Sequence, residues 1–591
     1  MRPAPLAPAA AAAPPARPAR LAGLAHAPRT TKRAPCPPAA VPGSVWWLDP
    51  VPAGGQRPIR AAAAPPPTPP LANLAAAAEA RRLPADTAAA AADDDDDEAA
   101  DADAALAAQG AALWADPAFR EALLGAGCEP AAGCPGLPPG SPAAAGPRLR
   151  VALLLSGGVD SATAAALLLA AGHAVTPFYL KIWFEEDFRN TWAACPWEAD
   201  LADSGAVCAS LGLPRPTVVP LTGAYWDRVV SDCVRELRAG RTPNPDVLCN
   251  SRVKYGAFVE WLAGRGEGNG EGGEGGGGEG GGGAGGAADP LGAAGFDRVA
   301  TGHYARVIRP GGDSPTTAPL LALCGDAAKD QSYFLARLSP AQRGAAMFPL
   351  AGAASKAQVR ALAAGAFGLP NAARKDSQGL CFLGRVPFAE FVASHLGTWP
   401  GPLLDADSVA EEQGGGKGGG DGDGTPSSSS TPAPRMLGYH QGAWFYTPGQ
   451  RRGIGLAGGP WYVVRKDMST NAVWVSARYH ERGAAGEDGG RQGCVVGGVE
   501  WADGGRALAG SLEEGAATTP PLPAPRLRVK VRHGPRAYGA AVALLPPGDG
   551  TRLAVSLDGT DQGLAPGQYA VFYDTHTGGG AVVGCGVIEG E

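Results

Sequence analysis

Eleven cysteines are scattered over 591 residues without one Cys-x-x-Cys pair. That absence removes the spacing of a zinc knot, an iron–sulfur site or a disulfide-stapled scaffold. No apolar run approaches the ~20 residues that cross a bilayer, so no membrane association is expected. Acidic side chains are missing from the start of the chain, and Asp49 is the first. Over roughly the first 41 residues Arg2, Arg17, Arg20, Arg29, Lys32 and Arg33 stand among alanine and proline. A basic, acid-free N-terminus has the composition of an organelle transit peptide. It lacks the compact Leu/Val core of a secretory signal. A structureless Ala/Pro tail is the plainer reading of the same residues.

Glycine (88) and proline (57) are plentiful, but they concentrate in segments that cannot build a core, and alanine inflates the 45% hydrophobic content. Residues 42–146 read as Ala/Pro/Asp-rich chain, mostly without fixed structure, with room for a helix around Pro117 to Leu124. Gly264 to Gly286 and Asp405 to Pro434 read as flexible insertions. The net charge is -7. Eight negatives lie at Asp93 to Asp97, Glu98, Asp101 and Asp103, and four at Glu267, Glu271, Glu274 and Glu279; the rest of the chain carries +5. That balance neither requires nor rules out a nucleic-acid partner.

The chain is organised around residues 150–180. Arg150 to Leu155 reads as a buried strand that stops at Ser156-Gly157-Gly158, where glycine permits a tight turn. A helix follows from about Asp160 to a C-terminal Gly172, and Ala174 to Leu180 forms a second strand. Backbone N–H groups at such a strand-to-helix turn bind anions. No lysine follows the glycines, which excludes the Gly-Lys-Ser/Thr nucleotide loop. Ser-Gly-Gly-x-Asp-Ser resembles the loop of enzymes that split ATP into AMP and pyrophosphate. Further strands at Thr217 to Leu221 and Phe296 to Ala300 alternate with helices at Asp200 to Leu211 and Tyr225 to Arg238. Together they predict a parallel, doubly wound, Rossmann-like sheet.

The stretch Gly240 to Asn250, with Pro243-Asn244-Pro245, predicts a rigid extended loop that presents Asp246 and Cys249. Helix from Ser251 to Leu262 would follow. A cysteine just before a helix sits in a positive field that lowers its pKa, but a buried structural cysteine fits the spacing equally. His303 follows a strand, where ligands of open sheets bind, though a lone histidine there is more often structural. Beyond residue 385, Tyr446-Thr447-Pro448-Gly449-Gln450-Arg451-Arg452 and Pro460-Trp461-Tyr462-Val463-Val464-Arg465-Lys466 interleave basic and aromatic side chains, which suits RNA. A small β-rich linker domain with a solvated basic face fits them nearly as well. Five short strands between Arg526 and Glu591 predict a β-barrel.

The motifs SGGVDSA, GRTPNPDVLCN, TGHYAR, KDQSYFL, DSQGLCF, YTPGQRRGIGL, PWYVVRKD and PGQYAVFY occur in this order. The set resembles the tRNA-specific 2-thiouridylase family over about Arg148 to Glu591. LKIWFEEDF and CPWEADL look like the plastid and cyanobacterial branch, so plastid import is expected ahead of mitochondrial import.

The resemblance implies four regions. They are a leader and unstructured segment (1–147), an ATP-pyrophosphatase domain (148–385), a small central tRNA-binding domain (386–480) and a C-terminal β-barrel (488–591). It implies that ATP adenylates the C2 oxygen of a wobble uridine and that a persulfide sulfur then replaces that oxygen. Leu154, Leu155, Ser156, Gly157, Gly158, Val159, Asp160 and Ser161 would bind ATP, with Leu180 and Gly302 beside the adenosine. Leu180 stands where bacterial members often carry methionine. Asn244, Pro245 and Asp246 would contact the target base. Cys249 matches the nucleophile and Cys381 the persulfide carrier. His303, Lys329, Asp330, Gln331, Arg532, His533 and Gln568 match tRNA contacts, although His533 replaces the aromatic often found there. Departure of pyrophosphate needs charge neutralisation, so Mg2+ is expected beside Asp160 and the loop amides. A monomer is expected, supplied with sulfur by a cysteine desulfurase or relay protein. An amide-forming ATP pyrophosphatase is the alternative enzyme, but no glutamine-hydrolysing domain accompanies it. An inactive tRNA-binding protein would not need Cys249, Cys381 and the loop intact.

Overall fold

Strand β1 (Arg150–Leu154) lies at the centre of a five-stranded sheet. Its partners are β2 (Ala174–Lys181) and β3 (Thr217–Pro220) on one side, and β4 (Arg298–Ala300) on the other. Every pairing in this sheet is parallel. The strand is apolar throughout its interior because both faces are covered. Val151, Leu153 and Leu155 pack with Val159, Ala162 and Val207 on one face; Ala152 and Leu154 join Tyr225, Val253 and Phe258 on the other. The computed structural model describes residues 95–182, 196–266, 290–309, 318–375, 388–408, 434–479, 491–506, 508–509, 526–548, 550–561, 564–576 and 580–590. The basic N-terminal stretch, Cys195, Cys381 and most of both glycine-rich insertions lie outside these residues.

Two further strands, β5 (Arg306–Ile308) and β6 (Leu320–Ala322), leave this domain and extend another sheet. A last two-residue strand, β7 (Ala346–Met347), completes the parallel sheet at the far side of β4. The central domain is β8 (Gly401–Asp405), β9 (Met436–His440), β10 (Tyr462–Asp467) and β11 (Ala472–Ser476), in the order β10-β11-β8-β9. Asp405 and Asp407 belong to this fold, not to the insertion expected to begin at Asp405. The Asp405 carboxylate accepts from Arg435 at 2.5 Å, and that of Asp407 accepts from Ser476 Oγ at 2.7 Å.

The C-terminal barrel closes with six strands, one more than the sequence suggests. They are β12 (Arg491–Trp501), β13 (Leu527–Lys530), β14 (Tyr538–Leu544), β15 (Leu553–Asp561), β16 (Tyr569–Asp574) and β17 (Ala581–Gly590). Closure comes from the β12–β17 pairing. The extra strand hides in the sequence because glycines and register shifts around Gly497 and Gly498 break its alternation. On the edge of β17 opposite β16, beyond the β12 pairing, β6 adds through Ala581 and Ala322, so the parallel-sheet domain is stitched into the barrel.

Ordered chain begins earlier than composition suggests. Helix α1 (Asp95–Ala115) occupies sequence that reads as unstructured, including most of the acidic cluster, and helix α2 (Pro117–Gly127) lies where a helix around Pro117 to Leu124 has room. Asp116 caps α2 and Pro117 opens it, which suits the first helical turn. Phe119, Leu123 and Leu124 are buried with Cys128, Cys134 and Leu137. Small residues make this packing: a Cβ on Gly110 would lie 1.6 Å from Ala361 O, and one on Gly365 would lie 1.7 Å from Ala107 O. Low hydrophobicity was therefore misleading, because backbone-to-backbone contact replaces large side chains. Glu129 then anchors the segment to the catalytic domain through Arg298 at 3.0 Å and Arg309 at 2.6 Å. Among the described residues no helix is long and apolar enough to cross a membrane.

Candidate active site

The C-terminal ends of β1, β2 and β4 meet where the strand order reverses, the place where open parallel sheets bind ligands. Helix α3 (Val159–Ala170) starts there, directly behind Ser156-Gly157-Gly158. Its N-cap, Gly158, has no side chain to bond the first amides, and helix N-terminal donors of this kind bind anions. The helix ends at Gly172, whose φ of +84° favours glycine.

Glycine is required twice in the loop region. Gly157 has a φ of +77°, and a Cβ there would lie 2.5 Å from Asp200 O. At Gly302 a Cβ would lie 2.6 Å from Ser161 N, so the end of β4 rests against the first turn of α3. Ser161 Oγ accepts from the Ser156 amide at 3.2 Å and donates to Gly158 O at 3.0 Å, bridging the two sides of the turn. Leu154 and Leu155 are buried beneath it, and half-buried Leu180 packs at the end of β2.

Several loop partners carry no sequence signal. The Gly157 carbonyl accepts from Asn371 Nδ2 at 2.7 Å and Arg374 Nη1 at 3.0 Å. Arg374 also pairs with Asp203 at 2.7 Å and with Asp200. Lys356 Nζ lies 2.7 Å from each Asp160 carboxylate oxygen, and Tyr304 donates its hydroxyl to the same carboxylate at 2.8 Å. Lys356 is the first residue of the helix Lys356–Ala361, capped by Ser355, and α1 packs on that helix. A lysine nearly two hundred residues from the loop carries no local pattern that would reveal this contact.

Mg2+ is expected beside Asp160, and that carboxylate is paired with Lys356. A bound magnesium uses one or two carboxylates with free oxygens, together with phosphates and water. Both Asp160 oxygens face an ammonium, while one oxygen each of Asp200 and Asp203 pairs with Arg374. Among the described residues no three His, Cys, Asp or Glu side chains are grouped to hold a metal.

Asp246 and Cys249 are on a helix, not on the extended loop that the two prolines suggested. Extended chain ends at Asn244, whose Oδ1 accepts from Val247 N at 3.4 Å as an N-cap. Pro245 is the first helical residue, where its missing N–H costs nothing. Helix then continues through Cys249–Ala257 and Phe258–Gly266. Asp246 is half-buried in the first turn, and Cys249 is 1% exposed. The core around Cys249 draws on all three domains, with Phe258, Phe391, Trp444 and Tyr569 among its members.

The other matched residues divide into exposed and internal groups. Lys329 and Arg532 are exposed, Arg532 pairing with buried Asp561 at 2.8 Å. His533 stacks on Phe334 with ring centroids 4.4 Å apart. Asp330, at 2% exposure, points inward: it accepts from the Cys324 amide at 3.0 Å and pairs with Lys530 at 3.3 Å. It joins the catalytic domain to the barrel and presents no free carboxylate to solvent. Gln331 accepts from the Tyr304 amide at 3.0 Å. His303 contacts Thr301 Oγ1 at 2.7 Å and Lys254 Nζ at 3.5 Å. Burial, and secondarily the Lys254 charge, hold its pKa well below the usual histidine value, so its ring is neutral at pH 7. Gln568 lies against Asn244, with Nδ2 of Asn244 donating to its Oε1 at 3.2 Å.

Three family models match the chain in sequence order. The tRNA methyl transferase HUP domain covers residues 149–269 and 288–385. The tRNA methyl transferase PRC-barrel domain covers 430–477, and the aminomethyltransferase beta-barrel domain covers 517–588. Among curated proteins, the tRNA-specific 2-thiouridylase MnmA of Parabacteroides distasonis is 32% identical over 428 residues, 72% of this chain and 95% of that protein. The protein of the same name from Alkalilimnicola ehrlichii is 36% identical over 447 residues, 74% of this chain and 97% of that protein. That of Porphyromonas gingivalis strain W83 is 34% identical over 425 residues, with 72% and 95% covered.

Proposed function

Because the chain belongs to the tRNA-specific 2-thiouridylase family, tRNA sulfurtransferases that act through a pyrophosphatase loop, we propose that it adenylates the C2 oxygen of the wobble uridine and replaces that oxygen with persulfide sulfur. The observation that carries this reading is the uncapped start of α3 behind Ser156-Gly157-Gly158, with Gly302 against its first turn. That arrangement suits the phosphates of ATP.

The residues divide the work. Loop amides hold the phosphates, while Asn371 and Arg374 fix the Gly157 carbonyl so that the turn keeps its shape. Lys356 offsets the Asp160 charge, which would otherwise repel a triphosphate. Any magnesium arrives with the phosphates and needs no carboxylate cage. Adenylation converts a poor carbonyl electrophile into one with AMP as leaving group. The terminal sulfur of a Cys381 persulfide bonds to C2 as the C2–O bond breaks. The Cys249 thiolate then takes the Cys381 sulfur as a disulfide and leaves sulfur on C2. A dithiol reductant and a sulfur donor, either a cysteine desulfurase or a relay protein, reset the pair. Cys249 is buried at rest, so the target base reaches it through movement of its segment.

The test combines pyrophosphate release with mass spectrometry of tRNA nucleosides. Cys381→Ser is expected to lose persulfide loading and thiolation but keep adenylate formation. Cys249→Ser is expected to keep the persulfide on Cys381 and stop there. Full activity of Cys381→Ser, or persulfide on Cys208, would overturn the assignment. We also place the protein in the plastid, as a monomer. A fluorescent fusion of the first ~40 residues that stays in the cytosol would refute the import.

A further inference from the structure

We infer that helices α1 and α2 are a working part of the ATP site: they hold residues 356–374, the stretch that supplies three partners of the phosphate loop, in position. The inference rests on the ATP role proposed above. It concerns a segment that precedes the matched family models, which begin at residue 149.

The three loop partners come from one short, continuous piece of chain. Lys356 Nζ meets Asp160 at its start, and Asn371 and Arg374 donate to the Gly157 carbonyl at its end. Internal hydrogen bonds make this piece a unit. Phe367 N donates to Leu362 O at 3.0 Å, Leu369 N to Ala363 O at 2.8 Å, and Arg374 N to Asn371 O at 3.0 Å. Arg360 Nη1 adds a bond to Ala372 O at 2.9 Å. A shift of its helix therefore moves both ends, and both ends touch the loop.

That helix is enclosed from two sides. Ala363 joins Leu153 and Val159 in the core on one face of the sheet. Val359 and Leu362 join Phe119, Leu123 and Leu124 of α2. Helix α1 lies directly on its backbone, because a Cβ on Gly365 would fall 1.7 Å from Ala107 O and 2.8 Å from Ala111 N. At the end of α1, Trp114 meets Phe367 edge to face with ring centroids 4.9 Å apart. Phe367 packs against both cores, so it links α1 to the residues beneath the loop. Arg120 steadies Trp114, with its guanidinium 5.9 Å from the ring centroid and its Nε donating to Gly136 O at 2.8 Å. The segment is also tied to the sheet without the helix, through Glu129 with Arg298 and Arg309 and through Cys128 O with His173. It is a clamp, fixed to the sheet at one end and closed over residues 356–374 at the other. Loosening α1 removes packing that opposes outward movement of the stretch, and close-packed interiors transmit such strain.

The experiment compares Trp114→Ala, Trp114→Phe and Gly110→Ala with the parent protein at a temperature where all are folded. Three quantities are read: the dissociation constant of α,β-methylene-ATP, which resists cleavage at the bond the reaction breaks; the tRNA dissociation constant; and amide hydrogen exchange with and without the analogue. We expect both alanine variants to bind the analogue roughly tenfold more weakly, the equivalent of 1.4 kcal/mol, with tRNA affinity within about threefold. Trp114→Phe keeps a ring against Phe367 and should restore most of the analogue affinity. Without nucleotide, exchange at residues 156–162 and 356–374 should accelerate in the alanine variants while that of β16 stays unchanged. Coupling is reciprocal, so the analogue should slow exchange at residues 103–115 of the parent. Parent-like analogue affinity and loop exchange in a destabilised Trp114→Ala would overturn the inference and leave α1 a role in stability alone. A parent protein that binds no analogue would instead defeat the proposed function, and loop exchange in the nucleotide-free variants would still decide whether the segment positions the loop. Should Gly110→Ala not fold, the two Trp114 variants decide alone.

Discussion

The ammonium of Lys356 is 2.7 Å from both carboxylate oxygens of Asp160, at the first turn of the helix that opens the phosphate loop. Each charge accounts for the other. Asp160 alone would repel a polyphosphate, and Lys356 alone would be a partly desolvated cation. Lys356→Met is expected to cut pyrophosphate release roughly 100-fold, the scale of losing one aimed charge-stabilising donor. Asp160→Ala should also abolish release and leave tRNA binding largely intact. Combining Lys356→Met with Asp160→Asn should recover part of the ATP affinity lost in Lys356→Met. ATP binding and pyrophosphate assays on this cycle measure the coupling. Additive losses would show that the two side chains act separately.

Gly302 and Gly205 make a contrasting pair. A Cβ on Gly302 would meet Ser161 N at 2.6 Å and Asp160 C at 2.8 Å, backbone atoms that can yield only by moving the loop. Gly302→Ala should weaken ATP binding and destabilise by about 1–3 kcal/mol, the range for overpacking. Gly205 lies inside the helix Pro196–Ser210 with open space around it. Gly205→Ala should stabilise by about 0.5–1 kcal/mol. Thermal melts and ATP titrations of the two variants provide the comparison, and equal effects would refute the steric account.

His173 joins the N-terminal segment to β1 in one tautomer. Its Nδ1 accepts from the Leu149 amide at 3.2 Å, and its Nε2 donates to Cys128 O at 2.6 Å. His440 repeats the pattern, with Gly442 N at 3.0 Å and Asn471 O at 3.0 Å. Burial lowers both pKa values below the ordinary 6.5. As pH falls below about 6.5 the unfolded chain takes up protons that the folded chain refuses, so stability decreases with falling pH. Denaturant midpoints at pH 7.5, 6.5 and 5.5 should decline in that order. His173→Gln should flatten part of the decline, and a parent midpoint that rises toward acid would contradict the argument.

Leu123 is fully buried in α2, the one helix for which the Ala/Pro/Asp-rich segment leaves room. Leu123→Ala should cost about 2–5 kcal/mol, the range for a buried leucine. Gly110→Ala should also destabilise, because its Cβ would fall 1.6 Å from Ala361 O and force α1 away from the helix that follows Lys356. The measurement is equilibrium unfolding of both variants. A change within 0.5 kcal/mol, as at an ordinary surface site, would mean that the segment is not part of the cooperative fold.

Much of this protein is legible in its sequence because the signals are local. A continuous apolar run gives β1, glycines at strained or crowded positions give the loop, and alternating residues give five barrel strands. The order of the motifs gives the family. Other features required the tertiary structure. Pro245 reads as a helix breaker until its position as first helical residue is known, since only context separates a helix start from an interruption. Asp330 reads as a polar surface residue, yet Lys530 from the barrel buries it. Lys356, Asn371 and Arg374 reach the loop from roughly two hundred residues away, and Gln568 reaches Asn244 from still farther. Sequence determined which short segments could make a phosphate loop, a parallel sheet and a barrel, because propensity and periodicity act over a few residues. Tertiary structure decided which charges meet and which side chains reach the phosphate loop, because those contacts exist only after distant segments are brought together by packing.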